Sequence, residues 1–243
     1  MGMARVVARD RLILAMDVPS GEAAERLMDQ VGEAVRFVKI GLELYTAAGP
    51  LIVEKALARG KRVFLDLKIL DIESTVRRAT ACVAAMGVEF LTVHANRKVL
   101  KAAVAARGPK REGGLKLLAV TVLTNFDEHD LRDMGIPWSV ADLVAARARL
   151  AYDAGCDGVV ASGEEPAIIR QLVGEEFLIV TPGIRPAGMA ANDHARVATP
   201  AQAIRAGADY LVVGRPIREA EDPRATAEAI IREMQEAFDA RTT

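Results

Sequence analysis

The sequence predicts an α/β protein built as one (β/α)8 barrel. Eight short runs, apolar almost throughout, alternate with Ala-rich helical patterns, as expected for a parallel sheet covered by helices. The 243 residues match the roughly 250 typical of such a barrel. The turn after the first run, Asp17-Val18-Pro19-Ser20-Gly21, lacks the G-x-G-x-x-G fingerprint that usually opens the competing architecture, a doubly wound open sheet.

The strands are expected at Leu12 to Asp17, Phe37 to Gly41, Arg62 to Asp66, Phe90 to His94, Lys116 to Leu123, Gly158 to Ser162, Phe177 to Thr181 and Tyr210 to Gly214. Helical patterns between them cover Glu22 to Val31, Pro50 to Ala58, Thr75 to Met86, Arg97 to Ala106, Val140 to Ala154, Glu165 to Leu172, Pro200 to Ala206 and Pro223 to Ala240. Gly60, Gly87, Gly155 and Gly207 stand where a helix must stop before the next strand. No linker or low-complexity segment divides the chain, so a single domain over residues 1–243 is expected, with its active site at the C-terminal ends of the strands. The loop Pro182 to Asp193 follows a strand and starts rich in Gly and Pro, which suits an active-site lid.

Composition narrows the function classes. A formal net charge of −1 with scattered charges provides no basic face for nucleic acid. No apolar run approaches the roughly 18 residues of a membrane span, and the apolar segment Arg11 to Ala15 is too short for a signal core and runs on through Met16 to a carboxylate, Asp17. A cytoplasmic protein is expected. Cys82 and Cys156 have neither C-x-x-C spacing nor histidine company, so they read as buried, reduced helix thiols rather than a disulfide or zinc site. Met16, Met86 and Met134 read as packing residues, Trp138 as a packing anchor and His129 as a surface residue.

The chemistry concentrates in Val63-Phe64-Leu65-Asp66-Leu67-Lys68-Ile69-Leu70-Asp71-Ile72, where alternating charges interrupt a strand otherwise suited to burial. Residues i and i+2 of a strand share a side, so Asp66 and Lys68 project together. Opposite charges that close keep each other ionised. A purely structural pair is a poor stabiliser, because desolvation offsets the Coulomb gain. With Lys39 at another strand end, a cluster of Lys39, Asp66, Lys68 and Asp71 is conceivable. Asp17, His94, Thr121, Thr124, Ser162 and Thr181 also end strands, with His94 more readily explained as a core histidine.

Two further strand ends suit a phosphate. Thr181-Pro182-Gly183-Ile184-Arg185-Pro186 and Val213-Gly214-Arg215-Pro216 close the seventh and eighth strands, where many barrels hold phosphate on backbone N–H groups. Glycine lets the backbone approach the anion and arginine grips two oxygens at once.

Taken in order, Asp17, Lys39, the Asp66-x-Lys68-x-x-Asp71-Ile72-x-x-Thr75 block, Thr121-Val122-Leu123-Thr124, Thr181-Pro182-Gly183-Ile184-Arg185 and Gly214-Arg215-Pro216 resemble the orotidine 5′-phosphate decarboxylase family along nearly the whole chain. The related 3-keto-L-gulonate 6-phosphate decarboxylase branch shares the D-x-K-x-x-D block, but it generally has an acidic residue in place of Lys39 and Ala-Gly after the last Asp.

The resemblance implies a homodimeric barrel that converts orotidine 5′-monophosphate to UMP and CO₂ with neither metal nor organic cofactor. It implies catalytic roles for Lys39, Asp66, Lys68 and Asp71, with Asp71 and Thr75 reaching across to the partner subunit's site. It further implies substrate contacts from Asp17, Lys39, Thr75, Thr124, Arg185, His194, Gly214 and Arg215. The chain departs from the family at Leu70, Glu73-Ser74 and Asn125, and in Ala191-Asn192-Asp193-His194, where a Gly-Asp-Gln run is usual; His194 therefore stands at the position of the lid glutamine. The alternatives are a Mg²⁺-dependent sugar-phosphate decarboxylase or aldolase of the same superfamily, and a non-catalytic phosphate-ligand-binding barrel.

Overall fold

A computed structural model describes residues 6–110, 113–186 and 198–241. Its eight parallel strands close in sequence order, with β8 pairing back onto β1. They are β1 (Leu12–Ala15), β2 (Phe37–Gly41), β3 (Arg62–Ile69), β4 (Phe90–His94), β5 (Lys116–Val120), β6 (Gly158–Val160), β7 (Leu178–Thr181) and β8 (Tyr210–Val213).

The helices are α1 (Gly21–Val31), α2 (Leu42–Ala48), α3 (Leu51–Ala58), α4 (Glu73–Ala85), α5 (Arg97–Arg107), α6 (Glu128–Asp133), α7 (Val140–Asp153), α8 (Pro166–Val173), α9 (Pro200–Ala206), α10 (Arg215–Arg218) and α11 (Pro223–Arg241). The short helices α2, α6 and α10 escape the sequence reading, since one or two turns carry too little periodicity. Helix starts follow local chemistry: the side chains of Ser20, Asn96, Ser139 and Thr199 accept N–H bonds from the first turns of α1, α5, α7 and α9. The stop glycines Gly60, Gly87, Gly155 and Gly207 all have positive φ, a backbone that L side chains resist.

Two apolar layers result. The larger lies between the barrel and its helices. The smaller fills the barrel with Ile13, Phe37, Phe64, Phe90, Leu118, Val180, Tyr210 and Val212. Phe90 meets Phe37 and Tyr210 with ring centroids at 5.0 and 5.1 Å, so rigid aromatics form a floor beneath the C-terminal mouth. Under that floor the Arg62 guanidinium lies 4.2 Å from the Phe37 ring and clamps Glu89 at 2.6 and 2.7 Å, while Lys116 reaches the same carboxylate at 3.1 Å.

Burial alone would raise the Glu89 carboxyl, but the bonds and charges of Arg62 and Lys116 outweigh it and hold the group below its ordinary 4.5. Ionised Glu89 therefore stabilises the fold above about pH 4.5, and this contribution fades as pH falls through the lowered folded value. Glu89→Gln is expected to cost about 1–3 kcal/mol at neutral pH, with the variant's and the parent's urea midpoints converging in acid. A gap between them that is unchanged by acid would contradict this.

The structure corrects several packing expectations. Cys82 is exposed on α4. Cys156 is buried but sits in the turn after α7, where burial pushes its thiol up to about 12. Met134 and Trp138 are about half exposed, so neither is a core residue. Among the described residues no helix is long and apolar enough to cross a membrane.

Candidate active site

Strand alternation builds the site directly on the aromatic floor. Phe37 and Lys39 on β2, Phe64 and Asp66 on β3, and Phe90 and Thr92 on β4 are i, i+2 pairs, so each polar group stands one layer above a buried ring. The Lys39 ammonium bridges two carboxylates, 3.0 Å from Asp17 Oδ1 and 3.4 Å from Asp66 Oδ2. Lys68 Nζ lies 2.9 Å from the same Asp66 oxygen. Asp17, Lys39, Asp66 and Lys68 thus form a chain of alternating sign.

The position of Lys68 depends on a local break in the strand. The register of β3 against β4 shifts between Leu65 and Ile69, and Lys68 has φ 49°, the only positive φ outside glycine among the described residues. Such a backbone costs on the order of 1–3 kcal/mol and persists only where its surroundings hold it. Thr92 supplies that hold: its hydroxyl accepts the Lys68 N–H at 2.9 Å and donates to Asp66 Oδ1 at 2.8 Å. The expectation that Asp66 and Lys68 meet holds, by way of a bulge rather than a regular strand. Sequence reasoning overlooked Thr92, although its spacing from Phe90 carried the same signal that Asp66 has from Phe64.

Burial would neutralise Asp66, but Lys39 and Lys68, with hydrogen bonds from Lys68 and Thr92, hold its carboxyl below the ordinary range. Burial likewise opposes the Lys39 charge, and Asp66 and Asp17 overcome it to raise the ammonium above its usual value. The interior charges are therefore set before any ligand arrives.

Above the array opens a cavity of about 500 Å³ lined by Asp17, Lys39, Asp66, Lys68, Leu123, Thr124, Arg185, Gly214 and Arg215, among others. One side carries the charge chain, another the strand-end arginines, and Val120, Val122, Val160 and Val212 provide apolar wall. Arg185 is buried: its Nη1 donates to the Ile184 carbonyl, and its backbone N–H bonds the Ala198 carbonyl at 2.9 Å beside an Ile184–Ala198 bridge. Most of the expected lid, from residue 187 on, lies outside the described residues. His194 lies outside the described residues.

Two lining residues escaped the sequence reading, Glu43 on α2 and Arg218 on α10. Arg218 lies one turn beyond Arg215 and donates to the Asp17 carbonyl, tying the β1 loop to the arginine end. Both belong to the short helices that periodicity could not reveal.

Other expected residues do not join the cavity. Asp71 is exposed and accepts the N–H of Ile72 at 2.6 Å, so a four-charge cluster within one chain does not form. Thr75, on α4, does not line the cavity either. Thr121, Ser162 and Thr181 are fully buried away from it. His94 is half-buried beside Arg147 and Lys68; burial first, then those two charges, lowers its pKa and favours the neutral ring.

A barrel with an alternating charge chain on one side of its mouth and arginines at its last two strand ends defines a class: (β/α)8 proteins equipped to bind an anionic ligand and act on a charged reacting group. Within it, the chain belongs to the orotidine 5′-phosphate decarboxylase / HUMPS family, whose model matches residues 10–230. A relative from Rhodopseudomonas palustris (strain BisB5), named orotidine 5′-phosphate decarboxylase, is 53% identical over 98% of this chain and 100% of its own. One from Methylobacterium sp. (strain 4-46) with the same name is 52% identical over 94% of this chain and 97% of its own. The crystal structure of orotidine 5′-phosphate decarboxylase from Lactobacillus acidophilus superposes with a TM-score of 0.81 at 37% identity, covering 92% of this chain and 98% of that one.

Proposed function

We propose that the protein decarboxylates orotidine 5′-monophosphate to UMP and CO₂ in pyrimidine biosynthesis. The Asp17–Lys39–Asp66–Lys68 chain carries this reading, because it sets fixed charges of both signs beside a cavity with an arginine end. In the reaction the substrate carboxylate lies against ionised Asp66, which opposes it in the ground state. The C6–carboxylate bond breaks, CO₂ leaves, and the electron pair stays on C6. Lys68 stabilises that carbanion and delivers its proton to C6, giving UMP. Lys39 holds Asp66 and Asp17 in place while balancing their charge.

Binding follows the cavity's geography. Arg215, the Gly214 N–H and Arg185 hold the phosphate, Asp17 and Lys39 the ribose, and Thr124 the pyrimidine. Asp71 and Thr75 complete the neighbouring subunit's site in a homodimer. The exposure of Leu70 and Ile72, at 61% and 70%, supports this, since two large apolar side chains flanking Asp71 suit a covered surface. The protein works in the cytoplasm.

Loss of orotidine 5′-monophosphate absorbance on adding purified protein, undiminished by a chelator, tests the activity. No turnover, or turnover abolished by the chelator, would overturn it. Arg215→Ala is expected to weaken UMP affinity by about 1.5–3 kcal/mol, the worth of hydrogen bonds to a charged group, with the loss appearing first in KM. Calorimetric UMP titration checks this, and an unchanged Kd would remove Arg215 from the phosphate site.

A further inference from the structure

We infer that Gly41 is a positioning residue for the charge chain, present because the space of a side chain there is taken by the Lys39 ammonium and the Asp17 carboxylate. The inference rests on the decarboxylase reading above. On β2, Phe37, Lys39 and Gly41 are spaced two apart, so all three face the barrel interior, and the Gly41 Cα pairs with that of Asp66 across β2 and β3. A Cβ built on Gly41 would lie 2.9 Å from Lys39 Nζ and 3.1 Å from Asp17 Oδ1.

Backbone conformation does not explain this glycine. Its φ of −95° and ψ of −175° are extended values open to any L residue. The constraint is occupancy. Lys39 must touch Asp17, in the loop after β1, and Asp66, on β3, and its ammonium does so by packing against bare backbone. Lys39 lines the cavity, so its ammonium can yield to a methyl group without disrupting the fold, but only by moving within the site. A methyl group would push Nζ off at least one carboxylate, and the displaced ammonium would support the Asp66 charge less well.

Gly41→Ala is therefore expected to fold and to bind UMP, but to lose about 100-fold in kcat, the scale of a small misplacement of catalytic groups. The acid limb of its pH–rate profile should move to higher pH, because Asp66 would be held less firmly ionised. Gly21→Ala is the control: its Cβ meets only Ala48 Cβ at 3.5 Å, an ordinary contact, and activity should stay at the parent level.

A double variant separates positioning from general stability. Lys39→Ala removes the nearer of the two atoms that the methyl meets and releases the other, Asp17 Oδ1, from its bond to the ammonium, so adding Gly41→Ala to that background should cost little further thermal stability or UMP affinity. Should Gly41→Ala alone fail to fold, the pair with Lys39→Ala should recover folding. Parent-level kcat in Gly41→Ala, an unmoved acid limb, or equal damage with and without Lys39 would overturn the inference. A parent protein inactive on orotidine 5′-monophosphate would instead overturn the functional reading.

Discussion

Lys68→Ala is expected to lower kcat by at least about 10⁴-fold, since under the proposed mechanism it removes both the proton donor and a cation facing the developing charge. UMP affinity should change by no more than about tenfold, because the phosphate and ribose contacts persist and the lost interaction matters chiefly in the transition state. Alanine keeps the same Cβ as lysine, so the left-handed backbone at this position, where φ is 49°, should cost the variant about what it costs the parent. Asp66 keeps Lys39 at 3.4 Å and Thr92 at 2.8 Å, so the folded array should survive the change. Single-turnover decay of orotidine 5′-monophosphate, paired with UMP calorimetry, reads both quantities. Equal losses in turnover and product affinity would make Lys68 a general binding residue instead.

The second large effect concerns Asp71. Asp71→Ala alone should cost about 10² to 10³ in kcat, the scale of one preorganised charge in an active centre, although the residue lies outside its own chain's cavity. Mixing Asp71→Ala with Lys68→Ala chains tests where it acts. In the proposed homodimer a hybrid contains one site with its own Lys68 and the partner's Asp71, and random assortment then makes about a quarter of all sites intact. Activity should rise toward that fraction after co-refolding, far above either variant alone. No recovery, with hybrid dimers verified by mass, would confine Asp71 to its own subunit or remove it from the chemistry.

Lys68, Asp71 and Gly41 show different degrees of legibility. The Asp66–Lys68 pairing could be read from spacing, yet its geometry could not: the bulge and the positive φ arise because Thr92 on the adjacent strand takes the Lys68 N–H, a contact between residues 24 positions apart. Asp71 looked like one more charge in the same run, but the strand ends at Ile69 and the chain turns outward before it. Arg218 and Glu43 were invisible because they sit on helices too short to leave a periodic trace. Gly41 carried no signal either; its meaning appears only when the ends of two other side chains are seen to occupy its Cβ space.

The sequence by itself determined the barrel, its eight strands in order, the strand ends that bear charge and the family to which they belong. Those features are local: alternation, apolar runs, helix stops and a short charged block are each set by residues close in the chain. Tertiary structure alone decided which charges meet. Lys39 joins Asp17 to Asp66, Thr92 pins Lys68, and Asp71 is left outside, because barrel closure and strand register set distances between residues that sequence spacing does not relate.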